Sequence, residues 1–384
     1  MAEKNLEMLL NRLRRFPDVE APNLQAWDAT DKLLLDTTAG LGTTESNLAV
    51  IGDRYGALTL GALTLDALAG SAFPKVRVHQ DLITGERALR NNAAALGVAA
   101  GFEQLPLGPR LLAGADTVLL QLPKTLAELE EIADAVARYA APGAVLLAGG
   151  RVKHMSLGMN AVLERYFGTV QPQLARQKSR VLLAATPRAA DGGPPFPAME
   201  FNSELELHVT AHGAVFAGTR LDIGTRFLLT FLPEMPAVRH AVDLGCGTGI
   251  IAAMYARRYP DAVVTATDQS AAAVESALGT AKANGLEGRI SVLQDDAMGS
   301  VPAGSADLVL LNPPFHLGSS VHAGAGIKMF GAAARVLAPG GELWTVFNSH
   351  LHYLPALERL VGPTVVLGRN PKFTVTISTK RARH

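Results

Sequence analysis

The chain has 384 residues, 48% hydrophobic and 18% charged, which is too long for one small domain and too apolar for a disordered protein. No apolar run is long enough to span a bilayer. Lysine plus arginine equals aspartate plus glutamate at 35 each, and residues 1–190 hold 20 bases against 19 acids while residues 191–384 hold 15 against 16. A general polyanion-binding surface is thereby excluded, so any nucleic-acid contact must be local.

The amino terminus, Met1-Ala2-Glu3-Lys4-Asn5-Leu6-Glu7, carries acids and has no apolar signal region, which predicts a cytoplasmic protein. The apolar run Leu48–Ile51 leads into Gly52-Asp53-Arg54-Tyr55-Gly56, and a second run from Ala115 ends in Gln121-Leu122-Pro123-Lys124, with Asp81 between them. Residues 151–190 then carry Arg151, Lys153, Arg165, Arg176, Lys178, Arg180 and Arg188 against Glu164 alone. This stretch reads either as a local RNA surface, with Arg176, Lys178 and Arg180 as its core, or as a solvated strand edge whose charges block aggregation. Residues 186–200, including Gly192-Gly193-Pro194-Pro195-Phe196-Pro197, have the composition of a linker. Domains are therefore expected at 1–185 and 201–384.

The second half alternates regularly. A strand ends in Val242-Asp243-Leu244 and opens into Gly245-Cys246-Gly247-Thr248-Gly249, followed by a helix from about Ile250, a strand Val263–Thr267 closed by Asp268, and a helix Ser270–Asn284. Strands at Ile290–Leu293 and Asp307–Leu311 follow, then a helix Ile327–Leu337, a turn Ala338-Pro339-Gly340-Gly341 and a strand Glu342–Phe347. A helix near Leu354–Leu360 and strands Thr364–Leu367 and Phe373–Thr379 complete the series, with Arg369, Lys372, Lys380, Arg381 and Arg383 forming a second basic stretch. This alternation predicts a doubly wound α/β domain with a largely parallel sheet.

The first half is a weakened copy. Leu48 to Gly56 lines up with the glycine turn, Asp81 with Asp268, and Ala115 to Lys124 with Ala306 to Phe315. Arg54 replaces the middle glycine, Gln121 replaces Asn312, and Lys124 replaces Phe315. The copy is expected to keep the fold and lack the chemistry, so the prediction is two tandem Rossmann-like domains, the first degenerate.

Glycines 245, 247 and 249 between a strand and a helix permit a tight turn and close approach of a ligand. Their G-x-G-x-G spacing differs from the G-x-G-x-x-G of pyrophosphate-binding turns. Asp268 ends the neighbouring strand, where an acid accepts from ribose hydroxyls or caps the next helix. Asp296 is the expected acceptor for an exocyclic amine of the cofactor base, unless it serves only to form a turn. Cys246, the lone cysteine, forms no internal disulfide and fits a reducing compartment; its place calls for a small side chain. No metal ion is expected.

Asn312-Pro313-Pro314-Phe315 follows the apolar run Leu308–Leu311, at a strand end that opens into the same crevice as the glycine turn. The Asn312 side-chain oxygen and the Pro313 carbonyl would each accept an N–H of a planar amine and draw its lone pair toward a sulfonium methyl. Phe315 offers a stacking face for the base, and His316 would contact base or phosphate unless it is structural. No general base is required.

On these residues the second half resembles the class I, S-adenosylmethionine-dependent methyltransferases of the small-domain type, and Asn312-Pro313-Pro314-Phe315-His316 resembles the motif of guanine-N2 ribosomal RNA methyltransferases. Arg15-Phe16-Pro17, Leu24-Gln25-Ala26-Trp27-Asp28-Ala29, Leu122-Pro123-Lys124-Thr125-Leu126 and Leu221-Asp222-Ile223-Gly224-Thr225-Arg226-Phe227 are similar to the RlmG family, which acts on large-subunit rRNA. The resemblance implies S-adenosylmethionine as cofactor, held by Asp222, Gly224, Asp243, Gly245, Gly247, Gly249, Asp268 and Asp296. It implies ribosomal RNA as partner, with the first half helping to hold it; no membrane partner is expected, and a monomer is favoured with the oligomeric state left open. The small-subunit RsmC family shares the duplication and the motif, so 16S rRNA stays open beside 23S. A protein-glutamine methyltransferase and a non-catalytic RNA-binding or assembly factor stay open as well.

Overall fold

The computed structural model describes residues 2–40, 47–69, 76–189, 191–314 and 320–381, and the chain divides into two compact units, Met1–Phe196 and Pro197–His384. Phe315, His316 and Arg383 lie outside the described residues. Among the described residues no helix is long and apolar enough to cross a membrane.

The first unit contains strands β1 (Leu48–Ile51), β2 (Val76–His79), β3 (Phe102–Gln104), β4 (Thr117–Gln121), β5 (Val145–Arg151), β6 (Phe167–Pro172) and β7 (Ser179–Pro187), in the sheet order β3-β2-β1-β4-β5-β7-β6. Helices α1 (Ala2–Leu10), α2 (Ala29–Gly40), α3 (Ala57–Ala69), α4 (Ile83–Leu96), α5 (Pro109–Leu112), α6 (Leu126–Tyr139) and α7 (Leu157–Tyr166) accompany it. Helix α6 illustrates why they form. Thr125 accepts from the Glu128 amide at 3.2 Å and starts the helix, and Leu129, Ile132, Ala133 and Val136 recur on one buried face.

The second unit opens with a hairpin, β8 (Ala198–Asn202) and β9 (Leu207–Ala211), and then builds β10 (His240–Leu244), β11 (Val263–Asp268), β12 (Ile290–Gln294), β13 (Ala306–Leu311), β14 (Leu337–Asn348), β15 (Thr364–Arg369) and β16 (Phe373–Thr379). Its helices are α8 (Ile223–Leu229), α9 (Ile250–Arg258), α10 (Ala271–Ala283), α11 (Ser320–Val336) and α12 (Leu354–Leu360). The sheet order, β12-β11-β10-β13-β14-β16-β15, repeats that of the first unit strand for strand. Within this sheet β16 runs against its neighbours β14 and β15, as β7 runs against β5 and β6 in the first. Both sheets are doubly wound, as expected. Along β13, Leu308 and Leu310 enter one core and Val309 and Leu311 the other, which is why this strand reads as an unbroken apolar run.

Three local expectations are corrected. Ala338-Pro339-Gly340-Gly341 does not separate helix from strand: it lies inside β14, where the ladder with β13 jumps from Ala306↔Leu337 to Leu308↔Glu342 and absorbs the extra residues as a bulge. Helix α11 starts at Ser320 and not near Ile327. A Cβ on Gly326 would stand 2.7 Å from the Tyr353 hydroxyl, so this glycine admits a ring and does not end the helix. Finally, Asp81 is not the counterpart of Asp268. Ile51 pairs with His79 as Leu244 pairs with Thr267, so the residue one place beyond is Gln80 in the first unit and Asp268 in the second.

Candidate active site

In the second unit β11 and β12 lie to one side of β10, and β13 and β14 to the other. The helices after β10 and β13 leave in different directions at this reversal and open a crevice at the carboxyl ends. The glycine turn fills its floor. Gly245, Gly247 and Gly249 have φ of 74°, 53° and 75°, left-handed values that favour glycine. The Gly245 and Cys246 amides donate to the Thr267 carbonyl at 2.8 and 3.0 Å. The three glycines serve different ends: a Cβ on Gly249 would press on Ala277 at 3.0 Å, one on Gly245 would meet the Met329 methyl at 3.0 Å, and one on Gly247 would find nothing within 4 Å. Gly247 is therefore the open position.

Acids surround the turn. Asp243 is fully buried and accepts from the Ala252 amide at 2.9 Å through one oxygen; the other has no partner among the described residues. Burial, with the charge of Asp268 added, pushes its carboxyl up to about 7. Desolvation likewise raises the Cys246 thiol well above its ordinary range, helped by Asp268 and Asp243, which makes it a poor nucleophile. Asp268 accepts from the Gly247 amide at 3.1 Å and from Ser270 at 3.0 Å, tying the turn to the start of α10. The cap itself is Ser270, which accepts from Ala273 at 3.1 Å. Asp295 forms the following turn, accepting from the Asp296 and Ser300 amides and the Ser300 hydroxyl. Asp296 instead faces Lys328, whose ammonium reaches both its oxygens at 2.6 Å. Neighbours on α11, Lys328 and Met329, thus reach Asp296 and Gly245.

Asn312 stands at the end of β13. Its amide nitrogen donates to the Asp222 carboxylate at 3.0 Å and to the Thr225 hydroxyl at 2.9 Å. Both N–H bonds are used, and the oxygen Oδ1 is left buried with no partner among the described residues. Leaving a buried acceptor unpaired costs roughly 1–3 kcal/mol. The neighbours fix which end is which, because a carboxylate accepts and repels another oxygen. Asp222 also starts α8, accepting from the Thr225 amide at 3.0 Å. A Cβ on Gly224 would lie 3.0 Å from Asp222 and 3.3 Å from Asn312 Oδ1, so Gly224 lets the helix start pack onto the amide.

The expected residues therefore fall into groups. Asp243, Gly245, Gly247, Gly249 and Asp268 surround the turn; Asp296 lies at the end of the strand next over; Asp222 and Gly224 gather at Asn312. Pro313 is buried beside it. Arg176 and Lys178 belong to the first unit, exposed at the β6–β7 connection where Arg176 and Ser179 exchange backbone bonds at 2.9 and 2.8 Å. Arg180 is half-buried there, with its Nε buried and unpaired among the described residues. Sequence reasoning missed Thr225 and the link from Asp222 to Asn312. The signal was a repeated helix start: Trp27-Asp28-Ala29-Thr30-Asp31-Lys32 lines up with Leu221-Asp222-Ile223-Gly224-Thr225-Arg226, and the Gln121 amide donates to Asp31, at the place of Thr225, at 2.5 Å.

A doubly wound sheet with an open glycine turn and a strand-end Asn-Pro-Pro defines a Rossmann-like methyltransferase. The methyltransferase small domain model matches residues 206–377, and the RLMG N-terminal domain model matches residues 1–189. The chain belongs to the ribosomal RNA large subunit methyltransferase G family: it is 36% identical to that protein of Streptomyces avermitilis over 96% of this chain and 97% of the other. The Pseudomonas aeruginosa protein of the same name is 37% identical over 94% and 96%, and that of Ectopseudomonas mendocina 38% over 96% and 97%. Among solved structures, the T. thermophilus 16S rRNA N2 G1207 methyltransferase RsmC, in complex with AdoMet and guanosine, superposes with a TM-score of 0.71 at 23% identity, covering 97% of this chain and 99% of its own. That likeness extends the shared fold over both units.

Proposed function

We propose that this protein transfers a methyl group from S-adenosylmethionine to the exocyclic N2 of a guanine in large-subunit ribosomal RNA. The observation that carries the reading is Asn312 Oδ1, a buried acceptor without a partner among the described residues, at a strand end in the crevice of the glycine turn. An exocyclic amine would supply the missing N–H. The names of the family's members, which specify the large subunit, support 23S over 16S rRNA.

Bound S-adenosylmethionine supplies a methyl on a positively charged sulfur. Gly247 offers its backbone without a side chain in the way, Asp268 lies where ribose hydroxyls would donate, and Asp243, Gly245 and Gly249 shape the turn beneath. Asp296 is proposed to accept from the adenine amine, sharing its charge with Lys328. Asp222 and Gly224 close the site from the start of α8. Asn312 Oδ1 and the Pro313 carbonyl would accept the two N–H bonds of the guanine amine, turning its lone pair out of conjugation. Phe315 is proposed to stack on the base and His316 to contact the base or a phosphate. The first unit would hold RNA through Arg176, Lys178 and Arg180. A cytoplasmic monomer suits this task.

Labelled S-adenosylmethionine offered with free 23S and 16S rRNA, both subunits and protein substrates, followed by mass spectrometry of the modified residue, tests the reading. N2-methylguanosine in 23S rRNA is expected. Label confined to 16S rRNA, to another atom, or to protein glutamine would overturn it.

A further inference from the structure

We infer that Thr225 is a positioning residue, which holds the Asn312 carboxamide with its oxygen toward the substrate amine; the inference rests on the function proposed above. An asparagine side chain presents either an acceptor or two donors, depending on a half-turn about its last bond. Only one orientation accepts an N–H. Asp222 at 3.0 Å selects it, because a carboxylate only accepts, and Thr225 Oγ1 at 2.9 Å holds the second N–H.

The two units separate what each neighbour does. In the first, Gln121 at the end of β4 donates to Asp31, as Asn312 at the end of β13 donates to Thr225. Helix α2 packs on β5 and β7, and α8 on β14 and β16; Thr30 of α2 bonds Ser179 and Gly224 of α8 faces Phe373, its counterpart in the ladder, so Asp31 occupies the place of Thr225 and Asp28 that of Asp222. A bond from the strand-end amide to the third residue of the helix thus persists in the unit that lacks the glycine turn, and it ties a helix to a strand end in both. The acceptor itself differs: Asp31 is a carboxylate that also takes the Asp28 amide at 2.8 Å, whereas Thr225 is a neutral hydroxyl.

Thr225 is 8% exposed, and its hydroxyl takes the second N–H of the only strand-end amide of the pair that is followed by two prolines. In this unit Asp222 takes the other N–H, so both N–H bonds of Asn312 are used and Oδ1 alone is left to accept.

The test compares Thr225→Val, which keeps the shape and removes the acceptor, with Thr225→Ser, which keeps the acceptor. In Thr225→Val, kcat on rRNA is expected to fall about tenfold, with KM for rRNA and calorimetric S-adenosylmethionine affinity within twofold, and Thr225→Ser should recover most of the loss. Independently of any substrate, one of the two Asn312 side-chain N–H proton signals in asparagine-labelled protein should move upfield in Thr225→Val and stay in Thr225→Ser. A kcat unchanged by valine, or unshifted Asn312 signals, would overturn the inference. Equal losses in both variants with a matching fall in melting temperature would also overturn it, in favour of a purely structural threonine. Should rRNA prove not to be the substrate, the function reading fails while the Asn312 signals still decide the role of Thr225.

Discussion

The first and second units share a sheet order and a register, yet they treat the same crevice in opposite ways. Leu48 to Ile51 pair with Thr117 to Leu120 just as Ala241 to Leu244 pair with Leu308 to Leu311. The Gly52 amide donates to His79 at 3.1 Å and the Gly245 amide to Thr267 at 2.8 Å. What changes is where the acid sits. The second unit keeps it on the strand as Asp243, below the turn; the first has Val50 there and places Asp53 inside the turn, at the position of Cys246. Asp53 accepts from the Gly56, Leu58 and Thr59 amides at 3.0, 3.2 and 2.8 Å. Those N–H groups open helix α3, where a ligand would otherwise be received.

Two further changes complete the closure. A Cβ on Gly52 would lie 3.3 Å from the Gln121 carbonyl, so the end of β4 leans on the turn, and Arg54 replaces the open Gly247 without its left-handed backbone. The fold tolerates these changes, since Asp53, Arg54 and Gln121 stand outside the hydrophobic clusters of the first unit and Val50 joins one of them. A cofactor crevice is a gap that the backbone leaves, and a carboxylate and one longer side chain suffice to occupy it.

The comparison breaks most sharply if the first unit's residues are moved into the second. Gly247→Arg should abolish calorimetric S-adenosylmethionine binding, since it fills the open position and forces arginine to a φ of 53°. Binding that survives would show that the turn does not receive the cofactor. Asn312→Ala comes next: transfer should fall at least about a hundredfold with cofactor affinity unchanged, because the lost acceptor acts on the amine in the transition state. Full activity would remove Asn312 from the mechanism.

The third prediction concerns a property the units share. Asp31 and Asp243 are both held up to about 7, each chiefly by burial. A raised carboxyl binds its proton more tightly folded than unfolded, so its contribution is complete below about pH 4 and is lost as pH rises through about 7. A carboxyl raised that far above its ordinary value loses at most about 4 kcal/mol over this range. The melting temperature should fall between pH 5 and pH 8, and Asp243→Asn should reduce that fall. A flat profile would mean that both carboxyls stay ionised at pH 5.

Much of this was legible in the chain. Buried strands show as apolar runs such as Leu308–Leu311, and the turn as spaced glycines. The duplication shows because strand ends are anchored by the same residue types. The errors have physical causes. Asp81 resembles Asp268 in charge, whereas the ladder counts positions and selects Gln80. Asp222 and Asn312 meet across a helix start and a strand end 90 residues apart, and no local periodicity encodes that contact. Thr225 carries no charge and sits at a helix start, where its spacing from Asp222 reads as capping alone.

The smallest expected effect tests whether both units hold RNA. The antiparallel ladders close on Arg151↔Ser179 in the first unit and on Asn348↔Phe373 in the second, which puts Lys178 and Lys372 in matching places. Each is fixed by the same bond: Val152 N–H donates to the Lys178 carbonyl at 2.9 Å, and Ser349 N–H to the Lys372 carbonyl at 3.0 Å. The neighbouring residues have all diverged, from Arg176 to Asn370, Gln177 to Pro371 and Ser179 to Phe373, while the lysine is present in both. Both are exposed, at the carboxyl edge of their sheets, and Lys372 lies over the ring of Phe373 at 5.4 Å, whose edge would meet a Cβ on Gly224 at 3.3 Å. If each lysine meets one phosphate, Lys178→Ala and Lys372→Ala should each weaken rRNA binding a few-fold and lower the slope of log affinity against log salt by about one. A change confined to Lys372 would make the first unit a scaffold; a change in neither would return both hairpins to solvated edges that keep strands from pairing with other chains.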